Sequence, residues 1–216
     1  LISSGTLSKV LLLVGELSNS KLLPSAVLVA NAKTSSAGEI GQSDWFSAVC
    51  CEGFERSVAR QIRDVQEMAR RAGLASEILQ EAAHSGFWER MHDFPLQADR
   101  FVYRVTVPRA STAEVIKAVA SWSSTDFRPE IVSDAAVGII WISLEVNDMA
   151  LQWFDKFIAH AREHRGHAII FAAPANLKQG VDIWGSAPST LSLMREIKRQ
   201  FDPQGLLNPG RFVAGI

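Results

Sequence analysis

Cysteine is scarce in this sequence: its 216 residues include two, Cys50 and Cys51, side by side. Adjacent thiols cannot tie distant parts of a chain together, and no CxxC occurs, so a disulfide framework is excluded and a reducing compartment is expected. Neighbouring strand side chains point to opposite faces, so one thiol is expected to be buried. Long apolar runs are also lacking. Leu11-Leu12-Leu13-Val14 is far too short to span a bilayer and lacks the flanks of a signal peptide. An excess of one charge is absent: the formal net charge is -1. That removes the long-range field that would favour nucleic acid or acidic lipid. There is no GxGxxG and no P-loop, and Gly38-Glu39-Ile40-Gly41 is too sparse to cradle a pyrophosphate. No GxSxG is present. Asp126 and Asp134 read most simply as turn residues.

What remains is an ordinary globular composition, 47% hydrophobic and 21% charged, in a chain long enough for one large domain or two small ones. Helical spacing of Leu7, Val10, Leu11 and Val14 predicts a helix over Thr6 to Leu17. Strands are expected over Ser25–Ala30 and Trp45–Cys51, with a polar loop, Lys33 to Ser43, between them. Val58, Ile62, Val65, Met68 and Ala69 form the apolar stripe of a helix over Phe54 to Ala72, and Gly73 suits its C-cap. A short strand at Glu77–Leu79 and a helix from Glu81 to Met91 follow.

From Arg100 the order becomes strand, helix, strand, strand, helix, strand. The strands are Arg100–Val107, Glu130–Ser133, Val137–Glu145 and His167–Ala172. Ser111 is placed as cap of the first helix, with Glu114 at the capping-box position, and Asp148 as cap of the second, Met149 to Glu163. This is the split, ferredoxin-like pattern. The first part of the chain repeats some of that order without a residue-level repeat. The fold class expected is α+β, a ferredoxin-like antiparallel sheet with helices on one face.

The last stretch is the most informative. A helix closes on Phe201, where Asp202-Pro203 blocks continuation. Gly205 permits a turn, and Asn208-Pro209-Gly210-Arg211 makes a second one. Asp202, Pro203, Gly205, Asn208, Pro209, Gly210 and Arg211 together resemble the carboxyl end of FAD-linked oxidases of the vanillyl-alcohol oxidase type. Trp184-Gly185 adds a similarity to the glycolate oxidase E-subunit branch of that family. The resemblance implies an FAD-linked oxidase carboxyl-terminal (cap) domain over 1–216, with sub-units at roughly 1–98 and 99–183 and a helix and tail at 184–216. It implies FAD as cofactor, bound mainly by an amino-terminal domain of the family that is not in this sequence. With Leu1 rather than Met in first place, the chain reads as the carboxyl-terminal part of a longer flavoprotein. The function implied is oxidation of a small hydroxy acid, or electron transfer within a multi-subunit complex. The partners implied are the chain's own FAD-binding domain and other oxidase subunits, in the cytoplasm or at a membrane through those subunits. A non-catalytic ferredoxin-like module for subunit contact or ligand sensing is the other reading.

In that family the tail turn lies by the flavin or at the domain seam, so Asn208, Gly210 and Arg211 are the cofactor-binding candidates. Strand alternation separates Ile140, Ile142 and Leu144 from Ile139, Trp141 and Ser143, and the second set is placed on the open sheet face. Arg104, mid-strand and on a face with Thr106, is placed to clamp a substrate carboxylate, or else to pair with Glu130 or Glu145. Arg104, Trp141 and Ser143 are therefore the substrate-binding candidates. No residue is assigned a catalytic role. His160-Ala161-Arg162-Glu163-His164 formally matches HxxEH. The helix spends Trp153, Phe154, Phe157, Ile158 and Ala161 on its core side and leaves the histidines at its margin, so no metal is assigned. The closing strand from His167 also lacks the histidine-rich motif of some 2-hydroxy-acid relatives.

Overall fold

The computed structural model describes residues 1–31, 44–97, 99–124, 127–147 and 149–216. The expected loop at 33–43, with Gly38 and Gly41, and the turn and cap roles of Asp126 and Asp148 lie outside those residues. The elements run β1 (Ile2–Gly5), α1 (Leu7–Ser18), β2 (Ala26–Asn31), β3 (Trp45–Cys50), α2 (Glu55–Arg71), β4 (Ala75–Glu77) and α3 (Glu81–Asp93). They continue with β5 (Phe101–Thr106), α4 (Thr112–Ser121), β6 (Glu130–Asp134), β7 (Ile139–Leu144), α5 (Ala150–Glu163), β8 (His167–Ala172) and α6 (Leu191–Phe201). Among the described residues no helix is long and apolar enough to cross a membrane.

Among the described residues all eight strands belong to one sheet, ordered β4-β1-β3-β2-β6-β7-β5-β8, and its ladders are antiparallel. The chain is thus α+β, with two βαββαβ units of the same strand order joined edge to edge. The join is β2 against β6, with Leu28 opposite Asp134, Val29 opposite Ser133 and Ala30 opposite Val132. Each unit contributes its own second strand, so the units are related by an approximate two-fold through the seam. At the far edge, Ile170 of β8 donates its N–H to the carbonyl of Ile183 at 2.8 Å.

Alternation along the strands builds two cores. Val27, Val29, Val49, Tyr103, Ile131, Ile140 and Ile142 face α1, α2, α4 and α5 and form the larger one. Leu28, Ala30, Phe46, Ala48 and Val132 face the other way, onto Phe87 and Met91 of α3 and onto Phe94 just after it. Helices gathered on one face therefore describes α1, α2, α4 and α5, whereas α3 covers the opposite face of the first unit. Its aromatic side chains explain this: Phe87 meets Phe46 edge to face at 6.0 Å and Trp88 at 5.3 Å, a preferred ring arrangement.

Four expectations need correction. Strand β1 was not expected. The third short strand lies at Ala75–Glu77 rather than Glu77–Leu79. Ser111 makes no side-chain capping bond, because a 3-10 turn over Arg109–Ser111 leads straight into α4 and leaves it outside the extended region a cap needs. Cys50 and Cys51 are both half-buried free thiols, because the strand ends between them; burial pushes both thiols up.

Candidate functional site

Alternation fixes the faces of β5 and β7. Ile140, Ile142 and Leu144 are buried under the helices, and Trp141 packs on the opposite side, as the alternation requires. Arg104 stands directly across from Trp141 on one side and Ile169 on the other. Its guanidinium carbon is 5.9 Å from the Trp141 ring centre, within reach of a cation–π attraction. Trp141 is braced by Phe171 of β8, edge to face at 4.9 Å.

Neither expected carboxylate is paired with Arg104 among the described ion pairs: Glu145 is exposed, and Glu130 pairs with Arg100 at 3.2 Å. Among the described residues Arg104 has no ion pair, and its Nε is buried without a hydrogen-bond partner. Ser143 is in a different situation. Its hydroxyl is fully buried, accepts from Arg100 Nε at 2.7 Å and donates to Gln97 Oε1 at 2.9 Å. Both hydrogen-bonding capacities are used in tying the strand to the segment before β5.

Arg104 opens into a cavity of about 550 Å³ at the β8 edge, lined also by Arg162, Arg165, His167, Trp184, Ser189 and Phe212 among others. Three arginines therefore border it, with no acid among the described lining residues. His167 feels this: burial, and then the charge of Arg104, lower its pKa below the ordinary histidine value. Arg162, Arg165, Trp184 and Phe212 were not singled out as ligand contacts from the sequence, because the segment from Trp184 has to fold back along β8 to bring them together. Gly185 is what lets it do so. Its φ is +69°, and a Cβ there would lie 2.9 Å from the carbonyl oxygen of Ala168, closer than a side chain tolerates.

The tail candidates occupy an adjacent groove. Asn208 and Arg211 line a cavity of about 570 Å³ with Ile197, Phe201 and Leu207 of α6 and the turn. Met194 and Phe212 border both cavities. The structure thus brings Arg104 and the pair Asn208 and Arg211 to neighbouring hollows, with Phe212 between them and 4.9 Å from Trp184. Asn208 takes a positive φ of 45°, which asparagine tolerates better than most residues. Its carbonyl accepts from the Arg211 N–H at 3.2 Å. Gly210 is exposed beside them at a φ of +72° and lines a further shallow hollow with Trp184 and Arg211.

The tail is held from within. Asp202 accepts from the Leu206 and Leu207 N–H groups at 2.9 Å each and from the Lys198 ammonium. The Lys198 bond, followed by the Leu207 bond, holds its carboxyl at about 2. The outer stripe of α6 is apolar and largely uncovered: Leu193, Ile197 and Phe201 are 58%, 49% and 84% exposed, and Leu206 and Leu207 continue it.

Residues 186–212 match the family model described as FAD linked oxidases, C-terminal domain. No curated protein matches the sequence. Among solved structures, the chain is similar to one of alkyldihydroxyacetonephosphate synthase, at a TM-score of 0.48 and 11% identity. That likeness covers 94% of this chain and 42% of the other, so this chain spans less than half its length.

Proposed function

We propose that this chain is the carboxyl-terminal part of an FAD-dependent oxidoreductase, in which the segment from Trp184 to Phe212 meets a flavin-binding domain. The observation that carries this reading is the match of residues 186–212 to the FAD linked oxidase carboxyl-terminal family. The shape of that segment supports it. A helix whose apolar stripe has nothing over it is a face built to be covered, and Asn208 and Arg211 stand beside that stripe.

The residues fit a flavin contact, though not the anchoring of a whole dinucleotide. The tail offers one amide and one guanidinium at an exposed turn, whereas the sequence has no glycine-rich loop for a pyrophosphate. The flavin, when bound, supplies the hydride-accepting ring; the protein supplies binding, orientation and charge. In this proposal Asn208 hydrogen-bonds the ring edge or the backbone of the flavin domain, and Arg211 offsets negative charge there. Arg104, with Trp141 as a wall, orients the carboxylate of a small hydroxy acid through paired charge-assisted bonds. Ser143 serves as a positioning residue, holding Arg100 and Gln97. A glycolate-oxidase-like subunit working in the cytoplasm with other oxidase subunits is the finer form of the proposal, and two free thiols suit that compartment.

The test is the visible absorption spectrum of the product of the whole gene that encodes this chain. Flavin bands near-stoichiometric with protein, bleached by a small 2-hydroxy acid and no longer bleached in Arg104→Ala, are expected. A colourless product with no flavin-binding segment would overturn the reading and leave a subunit-contact module.

A further inference from the structure

On the helical side of the sheet, the end of α5 and α4 bring together two imidazoles and two carboxylates. His160 on α5 and His164, the C-cap residue four positions on, lie side by side, with ring centres 4.8 Å apart. His160, Glu163 and His164 each offer a ligand atom, and these atoms all lie within 4.8 Å of one another. Glu163 Oε2 is 3.0 Å from His160 Nδ1. From α4, Glu114 Oε2 approaches His164 Nδ1 at 3.7 Å. Such separations bracket the edge of a tetrahedron whose corners lie about 2.0–2.1 Å from its centre, the distance for imidazole or carboxylate on zinc.

Two further features favour a cation here, and a third keeps a competing positive charge aside. His160 sits in the last turn of α5 and His164 is its C-cap residue, where the helix dipole is negative. Trp122 packs edge to face on His160 at 5.3 Å and fixes the ring plane. The nearby Lys156 ammonium is parked over the Trp122 and Trp153 rings, at 4.0 and 4.7 Å from their centres. Both histidine side chains are about one-fifth exposed (19% each), and Glu163 and Glu114 are 70% and 73% exposed. The carboxylates are therefore free to close over an ion while the imidazoles stay in place.

We propose that His160, His164, Glu163 and Glu114 form a divalent transition-metal site of the zinc class, a closed clip that ties α4 to α5 rather than a reaction centre. Two imidazoles and two carboxylates from the protein complete four-coordination and leave no open position for a substrate. The proposal stands independently of the flavin reading.

Chelator-stripped protein titrated with Co²⁺ at neutral pH should show one saturable site per chain, with the visible bands of a tetrahedral ion that Zn²⁺ displaces. His164→Ala should weaken binding at least ~10-fold, and so should His160→Ala. Because His160 packs on Trp122 and its loss can disturb the helix, the exposed Glu163→Gln and Glu114→Gln variants provide independent tests, each with a measurable loss of affinity. His92→Ala, which removes another exposed histidine–carboxylate pair, should leave binding unchanged. Absence of saturable binding, or binding that survives His164→Ala or falls equally in His92→Ala, would overturn the proposal.

Discussion

Asp202 organises the whole tail through one carboxylate. Its position after Phe201 reads from the sequence as a helix stop, because Pro203 follows. Its larger role does not, since the Leu206 and Leu207 amides reach it only once the chain has turned back. The carboxyl is held at about 2, below its ordinary 3.8. A depressed carboxylate stabilises the folded tail above the ordinary value, and that contribution is lost as pH falls through about 2. The expected outcome is that the Leu206 and Leu207 amides keep their hydrogen-exchange protection down to about pH 4 and lose it on approach to pH 2. In Asp202→Ala they should be unprotected at any pH, while the sheet amides stay protected. The same contrast between local pattern and long-range partner holds on the sheet. Alternation alone assigns Trp141 and Ser143 to the face opposite Ile140 and Ile142. It cannot show that Arg100 and Gln97 occupy the Ser143 hydroxyl, because they lie 43 and 46 residues away.

Among the elements, α3 is the one whose placement the sequence conceals. Its existence is legible from Glu81 to Met91, but its side of the sheet is not. A helix with a narrow apolar face can serve either side, and the choice is made by Phe46, Leu28 and Ala48 across the sheet. Phe87 is 2% exposed there. Phe87→Ala removes the centre of the smaller core and should cost about 3–5 kcal/mol, measured as a lowered midpoint in urea unfolding. The sequence pattern does not mark strand β1, for a related reason. Ile2-Ser3-Ser4-Gly5 has one large apolar residue, and its strand character comes from being clasped between β3 and β4. The long helices α1, α2 and α5 were legible because each carries several apolar residues at helical spacing, a signal that needs no knowledge of partners.

At the scale of the molecule, the second unit's order of elements could be read directly, whereas the first unit's could not be completed without β1. Neither reading could supply the seam of β2 with β6, since a strand pattern does not name its neighbour. That seam makes the two units one sheet with only two ends. One end is β4, three residues long and polar or small, a poor template for another strand. The other is β8, whose Ile170 N–H is already taken by Ile183. The segment that carries Trp184 and the tail therefore also works as a stopper. A chain ending before Ile183 would present His167–Ala172 as a bare, largely apolar edge, which is what invites strand-to-strand self-association. Sedimentation of that truncated chain should show concentration-dependent oligomers, where a chain carried through to Ile183-Trp184-Gly185 shows fewer. The tail would then have two roles, one in whatever it touches and the other in keeping the sheet from finding a copy of itself.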